Sequence, residues 1–210
     1  QARGKQTFKR GGIWYTPQSG IWQTVWIEEV PQNYIQAIKL TPDIDNDELN
    51  IEIDYTGSSY DDMAAIALDN GNVMAGCKLE KGKGTLKLTD YECWSPENPK
   101  LYDLKIVAGS DQIESYFGMR KFSTGKDDKG FDRFFLNNEP YFFNGLLDQG
   151  YYSDGIYLPK TPQGHLDYIL KTKEMGFNML RKHIKVEPQL FYYYCDVYGM
   201  AVFQDMVNSG

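Results

Sequence analysis

The spacing of apolar residues changes near Gly130, and this change constrains the fold more than any other feature of the 210-residue sequence. Upstream of this point apolar and polar residues alternate, as in ELNIEIDY, where Leu49, Ile51 and Ile53 fall on one face of a strand. Similar short segments follow one another over roughly 100 residues, separated by turns rich in Pro, Asp, Asn and Gly. This part of the chain is therefore predicted to be an immunoglobulin-like β-sandwich.

After Gly130, predicted strands alternate with predicted helices. The segment TPQGHLDYILKTKEMG places its apolar residues near one face, with Thr161 as the expected N-terminal cap and Gly176 as the expected left-handed residue after the helix. A second helix is predicted in EPQLFYYYCDVYG, with Pro188 in its first turn and Gly199 at its end. Strands before, between and after these helices make a pair of βα units that feed a parallel sheet.

Polar residues gather where the three predicted parallel strands end. In α/β architectures functional groups collect at the carboxyl ends of the strands, because helices cover the flanks of the sheet and the loops at those ends face solvent. If the strands are neighbours, these residues are expected to line one rim and to form a functional site. The alternative is that they only solvate the edge of the sheet. The residues are Asp148, Gln149, Arg181, Lys182, His183, Gln204 and Asp205.

The composition argues against several classes of function. A formal charge of −7 and an isoelectric point near 4.9 argue against a nucleic-acid partner, which calls for a basic surface. The sequence has no apolar run long enough to span a bilayer, so no membrane partner is expected. Three widely spaced cysteines define no disulfide framework, and two histidines are too few for a zinc site without other ligands. We therefore expect no metal and no cofactor.

Two residue clusters each allow two interpretations. The acidic segment from Asp43 to Glu48 alternates like a calcium loop, but it lacks the glycine and the bidentate glutamate that such a loop needs, which favours a solvated turn. A group of aromatic residues near the start of the chain suits either packing in a core or between domains, or stacking against a sugar ring. These aromatic residues are Trp14, Tyr15, Trp22 and Trp26.

Several consecutive stretches resemble glycoside hydrolase family 2, the β-galactosidase and β-glucuronidase group. They are SGIWQTVWIE, CWSPENPKLYDLKI, ESYFGMRKF, FFLNNEPYFFNGLLDQG and EMGFNMLRKHIKVEPQLFYYYCDVYGMAVFQDM. The resemblance implies that residues 1–31 end a jelly-roll sugar-binding domain and that residues 32–124 form the immunoglobulin-like sandwich. Residues 125–210 would then be the first three βα units of a truncated (β/α)₈ TIM barrel, so the fold class is mainly β with an α/β part.

The same resemblance implies hydrolysis of β-glycosides with retention of configuration. Such enzymes use two carboxyl groups about 5–5.5 Å apart, which the family places on the fourth and seventh barrel strands. Both glutamates are expected to be absent here, because a complete barrel needs about 250 residues. The pair Asn138-Glu139 resembles the Asn-Glu pair that carries the catalytic acid in the family. It falls, however, in a predicted hairpin, FFLNNEPYFF, that turns at Asn137-Asn138. We therefore expect a β-galactosidase-like parent enzyme and no activity in these 210 residues alone.

The residues that the resemblance assigns to substrate binding are Asp148, Arg181, His183 and Asp205. Arg181 matches an arginine that keeps the nucleophile ionised, and Asp205 an acidic residue that binds sugar hydroxyl groups. The resemblance implies a β-linked glycoside as the partner and a periplasmic or extracellular location in a bacterium. An incomplete barrel leaves an open strand edge, so residues 125–210 are expected to be partly disordered, rearranged or buried against another copy of the chain, and a homo-oligomer is expected. The alternative function is a noncatalytic carbohydrate-binding or scaffolding module.

Overall fold

The computed structural model describes residues 3–9, 11–59 and 62–208. The chain divides into two compact units. We call Ile27–Tyr141 the β unit, and Gln1–Trp26 together with Phe142–Gly210 the α/β unit. The predicted boundaries after residues 31 and 124 do not coincide with these limits, and the assignment of three family domains stays a prediction.

The described residues of the β unit form three antiparallel sheets, in agreement with the alternation of the sequence. The first sheet has the order β1-β2-β5, the second β4-β3-β6-β7 and the third β10-β9-β8. The strands are β1 (Ile35–Asp43), β2 (Glu48–Tyr55), β3 (Met63–Asp69), β4 (Asn72–Lys78), β5 (Lys83–Lys87), β6 (Tyr102–Ala108), β7 (Asp111–Phe117), β8 (Phe122–Lys126), β9 (Asp132–Leu136) and β10 (Glu139–Pro140).

One apolar core joins the first two sheets. Leu49 and Ile51 of β2, predicted to share one face, are 0% and 1% exposed. They belong to the same buried cluster as Ala65 of β3 and as Leu104 and Ile106 of β6. Two sheets that bury their facing side chains against each other are the arrangement of a β-sandwich.

Two of the sequence stretches quoted above meet at Trp94, which is 1% exposed. Its amide donates a hydrogen bond to the carbonyl of Met119 at 2.8 Å, and the guanidinium carbon of Arg120 lies 4.6 Å from the centre of its ring. A Cβ atom at Gly118 would lie 3.2 Å from Trp94, so the closeness of the two segments favours glycine there. CWSPENP and YFGMR therefore form one packed structure.

The predicted hairpin in FFLNNEPYFF is confirmed, because β9 and β10 pair antiparallel with Leu136 opposite Glu139. Asn137 and Asn138 have φ angles of 53° and 68°. Two successive left-handed residues are the requirement of a type I′ hairpin turn, and asparagine tolerates this conformation better than most residues.

The α/β unit contains the predicted parallel sheet. Its strands have the order β11-β12-β13 and are parallel, so the prediction of two βα units with neighbouring strands is confirmed. Helices α1 and α2 connect the strands. Neither helix is long and apolar enough to cross a lipid bilayer. The elements are β11 (Gly145–Asp148), α1 (Gln163–Glu174), β12 (Met179–Lys182), α2 (Gln189–Tyr198) and β13 (Ala201–Gln204).

The helix ends agree with the sequence at their C termini and differ from it at both N termini, where Pro162 and Pro188 occupy the N-cap positions instead of Thr161 and a residue before Pro188. Gly176 and Gly199 have φ angles of 88° and 71°, the left-handed conformation expected after each helix. The prediction that Thr161 caps α1 is wrong, because Pro162 occupies the N-cap position and no side chain caps the helix. The backbone carbonyl of Thr161 accepts a hydrogen bond from the Gly164 amide at 3.0 Å, so a backbone turn begins this helix.

The two helices share a small apolar core with the parallel sheet. Ile169 of α1, Leu180 of β12 and Phe191 of α2 are each 0% exposed and belong to one cluster. Along β12 burial alternates, so Leu180 and Lys182 face the helices while Arg181 is exposed on the other face. This alternation decides which polar side chains can meet at the strand ends.

Candidate functional site

Three of the four residues predicted to bind substrate come together at the ends of β12 and β13. Nε of Arg181 donates a hydrogen bond to Oδ1 of Asp205 at 3.1 Å, and Nδ1 of His183 lies 2.9 Å from Oδ2 of the same carboxylate. The hydrogen bond from Arg181 lowers the pKa of Asp205, burial opposes this shift, and the contact with His183 adds to it. The carboxylate is therefore ionised at neutral pH and is held by two side chains. We call these three residues the Arg–His–Asp cluster.

The Arg–His–Asp cluster keeps hydrogen-bonding capacity for a ligand. The side chain of Arg181 is 55% exposed and that of Asp205 is 24% exposed. A guanidinium carries five N–H donors, and the bond through Nε uses one of them. The other donors of Arg181 and the further lone pairs of Asp205 can therefore bind hydroxyl groups.

The N-terminal segment brings a lysine and a tyrosine beside this cluster. Nζ of Lys5 lies 3.1 Å from Nε2 of His183. An ammonium group only donates, so we assign Nε2 as the acceptor and Nδ1–H as the donor to Asp205. The amide of Tyr15 donates to the carbonyl of Lys5 at 2.9 Å, and the amide of Thr7 donates to the carbonyl of Tyr15 at 3.2 Å. These backbone bonds fix Tyr15 next to the segment that contacts His183.

The fourth predicted residue, Asp148, lies on the face of the sheet that the helices cover. It is 5% exposed, its Oδ2 accepts a hydrogen bond from Nζ of Lys182 at 2.8 Å, and its Oδ1 accepts one from the amide of Gly150 at 2.8 Å. Asp148 pairs in register with Lys182, whereas Arg181 is the next residue along the strand and points the opposite way. The structure thus divides the expected rim between two faces.

A pocket of about 420 Å³ lies in the α/β unit between the N-terminal segment and the loop after β11. Aromatic rings and short polar groups line it together, which suits a sugar ring, because such a ligand has apolar faces and polar edges. The rings of Tyr15 and Tyr151 are 4.8 Å apart. The lining residues are Gly11, Trp14, Tyr15, Thr16, Gln149 and Tyr151.

The aromatic residues near the start of the chain therefore have different roles. Trp14 and Tyr15 line the pocket, as the sugar-stacking interpretation requires. Trp22 instead packs edge-on against Tyr157, with ring centres 5.2 Å apart. Trp26 is 65% exposed.

A group of buried charges on the helix-covered side of the parallel sheet was not predicted from the sequence. Lys182 and Lys185 are 0% and 2% exposed, which is rare for lysine unless it is paired. Nζ of Lys182 lies 2.5 Å from Oε1 of Glu187, and Nζ of Lys185 lies 2.8 Å from the same oxygen. Burial lowers the pKa of Lys185, and the neighbouring Glu187 opposes this shift. The sequence contained one indication that Lys182 is buried. Lys182 lies two residues after the apolar Leu180, so the two side chains point to the same face of a strand.

A buried histidine beside these charges is expected to make stability depend on pH. His165 is 4% exposed, Nδ1 lies 3.1 Å from the hydroxyl of Tyr152, and burial lowers its pKa below the ordinary 6.5. The unfolded state then binds a proton more readily than the folded state, so stability is lost as pH falls below about 6.5. We expect the free energy of unfolding, measured in urea between pH 7.5 and 5, to fall more steeply in the wild type than in His165→Gln. Equal slopes would contradict this.

The acidic turn from Asp43 to Glu48 makes its contacts within the β unit. Asp45 forms an ion pair with Lys121, and its Oδ1 accepts a hydrogen bond from Nδ2 of Asn138 at 2.7 Å. Across residues 3–9, 11–59 and 62–208, no group of three or more His, Cys, Asp or Glu side chains is arranged to hold a metal ion.

Comparison with known proteins gives consistent matches. Residues 33–120 match the family model described as Glycosyl hydrolases family 2. The chain is 25% identical over 208 residues to a β-galactosidase of Leuconostoc mesenteroides, covering 89% of this chain and 20% of that protein. It is 27% identical over 208 residues to a β-glucuronidase of Rattus norvegicus, covering 91% of this chain and 30% of that protein. The chain thus spans between a fifth and a third of the length of these relatives.

Solved structures agree with the sequence matches. The crystal structure of Ruminococcus gnavus β-glucuronidase superposes with a TM-score of 0.73 over 85% of this chain and 30% of that chain. The sequence identity is 16%, so this likeness shows the fold alone. The matched family model, the curated relatives and the shared fold together support membership of this chain in glycosyl hydrolases family 2.

Proposed function

We propose that this chain is the sugar-binding part of a retaining exo-β-glycosidase that acts on β-galactosides or closely related β-glycosides. The observation that carries the proposal is the Arg–His–Asp cluster at the ends of adjacent parallel strands, in the same unit as an aromatic pocket. The relatives named β-galactosidase and β-glucuronidase support the choice of reaction. A β-galactoside is preferred because β-galactosidases recur among the curated relatives.

The proposal includes a more specific fold for each of the two units. We assign the first two sheets of the β unit to an immunoglobulin-like sandwich, and β11, β12 and β13 with their helices to the first three βα units of a TIM barrel. The parallel order β11-β12-β13 supports this assignment, since successive neighbouring parallel strands are what the barrel repeats.

Within this function, Arg181 and Asp205 are proposed to bind sugar hydroxyl groups directly, and His183 to hold Asp205 in position. Arg181 is the exposed member of the cluster, which supports direct contact. Asp148 receives a different role, because it is 5% exposed and its oxygens accept bonds from Lys182 and Gly150. We propose that Asp148 acts on the substrate through the loop that it holds.

The catalytic carboxyl pair is proposed to lie outside these 210 residues. The retaining mechanism needs one carboxyl group that donates a proton and another that attacks the anomeric carbon. The carboxylates at the described strand ends already contact cations: Asp148 contacts Lys182, Glu187 contacts both buried lysines, and Asp205 contacts Arg181. Paired in this way, they are poorly suited to exchange protons with a substrate.

A second function, a noncatalytic carbohydrate-binding module, is favoured by one observation. The pocket is built from side chains of a single unit of this chain. A module of this kind would bind glycosides and would have no hydrolytic activity in any longer product of the gene.

Hydrolysis of a panel of nitrophenyl β-glycosides distinguishes the two functions. We expect no release of nitrophenol by the 210-residue chain and release by a longer product of its gene. In the longer product, Arg181→Ala is expected to lower kcat/KM about 10- to 100-fold, because a hydrogen bond to a charged group contributes about 1.5–3 kcal/mol.

Arg133→Ala is the matched control for this experiment. Nε of Arg133 lies 3.0 Å from Asp127 and the side chain is 54% exposed, nearly the same geometry as Arg181 and Asp205. It is expected to leave kcat/KM unchanged. Activity of the short chain that survives Glu139→Gln would overturn the assignment of the catalytic pair.

An oligomer and a cellular location complete the proposal. β11 and β13 are the outer strands of the parallel sheet, and outer strands offer backbone groups to a second chain, which supports a homo-oligomer. The periplasmic or extracellular location is proposed from the family resemblance alone.

A further inference from the structure

Four buried charged residues form a neutral cluster on the helix-covered face of the parallel sheet. They are Asp148, Lys182, Lys185 and Glu187, and each is at most 5% exposed. Nζ of Lys182 lies 2.8 Å from Asp148 and 2.5 Å from Glu187, and Nζ of Lys185 lies 2.8 Å from Glu187. Two cations and two anions cancel, which is the condition under which buried charges are tolerated. We call these residues the buried four-charge cluster.

Lys185 connects the buried four-charge cluster to the loop that follows β11. Its ammonium group donates to the carbonyl of Gly150 at 2.6 Å and also to the carbonyl of Tyr157. Nζ lies 4.3 Å from the centre of the Tyr157 ring and about 6 Å from those of Tyr151 and Tyr152. A cation surrounded by aromatic faces is attracted to each of them. One side chain thus holds both ends of residues 150–157.

Gly150 lies directly on this cluster and has no room for a side chain. Its φ angle is +67°, and a Cβ atom there would lie 2.6 Å from Oε1 of Glu187 and 2.8 Å from Nζ of Lys182. The residues on either side, Gln149 and Tyr151, line the pocket. The backbone of Gly150 therefore contacts the buried charges directly, and the residues on either side of it form one wall of the pocket.

We propose that Lys185 is a positioning residue for the sugar-binding pocket. It fixes Gly150 and Tyr157 by donating to their carbonyl groups, and it thereby sets the positions of Gln149 and Tyr151. The proposal rests on the proposed function in so far as the pocket binds a sugar. The position of the loop itself is independent of any ligand.

The test uses a pair of variants that separates positioning from charge balance. Lys185→Met leaves the buried anions in excess, so it is expected to destabilise the α/β unit. Lys185→Met combined with Glu187→Gln removes one cation and one anion and leaves the pair of Lys182 and Asp148. We expect the double variant to regain stability relative to the single one.

We also expect the amides between residues 150 and 157 of the double variant to exchange with deuterium at least tenfold faster than in the wild type. Its affinity for methyl β-D-galactopyranoside is expected to fall about tenfold.

Lys173→Met is the matched control, because Nζ of Lys173 also donates to a backbone carbonyl, that of Gly199, at 2.9 Å in the same unit. It is expected to leave loop exchange and affinity unchanged. A double variant with wild-type exchange in the loop would overturn the proposal, since the lysine would then serve only charge balance.

A measurement on the wild type tests the same proposal without a variant. The amides of Tyr152 and Ile156 bond to each other's carbonyl groups at 2.8 and 2.9 Å inside the segment that Lys185 holds. They are expected to be as protected from exchange as those of β12, and rapid exchange would overturn the positioning role. Absence of sugar binding by a wild-type chain with a protected loop would instead count against the proposed function alone.

Discussion

Replacing Lys182 with methionine is expected to lower the free energy of unfolding of the α/β unit by about 3–5 kcal/mol. Lys182 is 0% exposed and contacts the carboxylates of Asp148 and Glu187, which are themselves buried. Removing one partner of a buried ion pair leaves a charge that neither water nor a counter-ion compensates. Both helices belong to this unit, so urea unfolding followed by the helical circular dichroism signal measures the loss.

Arg181→Met is the control for this prediction because it changes the neighbouring residue of the same strand. Arg181 is 55% exposed and pairs with Asp205 on the opposite face. An exposed ion pair contributes about 0–1 kcal/mol, so its loss is expected to be small. If the two variants lost similar free energies of unfolding, the prediction that the ion pairs on the buried face of β12 contribute more to stability would be contradicted.

Gly150→Ala is expected to destabilise the α/β unit by about 2–4 kcal/mol, the sum of backbone strain and steric conflict. Its φ angle of +67° is unfavourable for alanine, and the new Cβ atom would lie 2.6 Å from Oε1 of Glu187. The same urea measurement applies. The variant is also expected to weaken sugar binding, because Gln149 and Tyr151 move with this residue.

Gly176→Ala is the control that measures the cost of backbone strain without steric conflict. Gly176 has a φ angle of +88°, and a Cβ atom there would have no heavy atom within 4 Å. The expected loss is about 1–2 kcal/mol, the cost of the left-handed conformation alone. If Gly150→Ala cost no more than Gly176→Ala, the close packing of the loop on the buried four-charge cluster would be refuted.

Local patterns were sufficient to predict part of the secondary structure and part of the topology. The alternation around Leu49 and Ile51 identified β2, and the Asn137-Asn138 pair identified a hairpin, because both features depend on residues close in sequence. The alternation of strands and helices after Gly130 predicted parallel neighbours, since a helical crossover returns the chain in the same direction.

The division of the site between two faces was harder to predict. Arg181, Lys182 and His183 are predicted from the sequence to share one rim, although neighbouring residues of a strand point to opposite faces. The strand boundary decides where this alternation stops, and β12 extends through Lys182. A lysine that ends a strand is usually solvated, so its burial follows only from Asp148 and Glu187, which converge on it from elsewhere in the unit.

The contacts of the N-terminal segment could not be predicted from local patterns. Lys5 meets His183 across 178 positions of the chain, and Tyr15 meets Tyr151. Such contacts depend on how distant segments pack and leave no periodic signal. The sequence therefore predicts no pocket, although it does suggest Trp14 and Tyr15 as candidates for stacking on a sugar.

We propose that the Arg–His–Asp cluster and the pocket lined by Tyr15 and Tyr151 bind a β-glycoside. An NMR titration of the chain with methyl β-D-galactopyranoside tests it most directly, with the α anomer as the control sugar. We predict that the β anomer shifts the signals of the Trp14 indole, the Gln149 side-chain amide and the Arg181 Nε–H group, and that Arg181→Ala weakens this response. Shifts confined to residues 27–141, or none at the highest soluble sugar concentration, would contradict the claim.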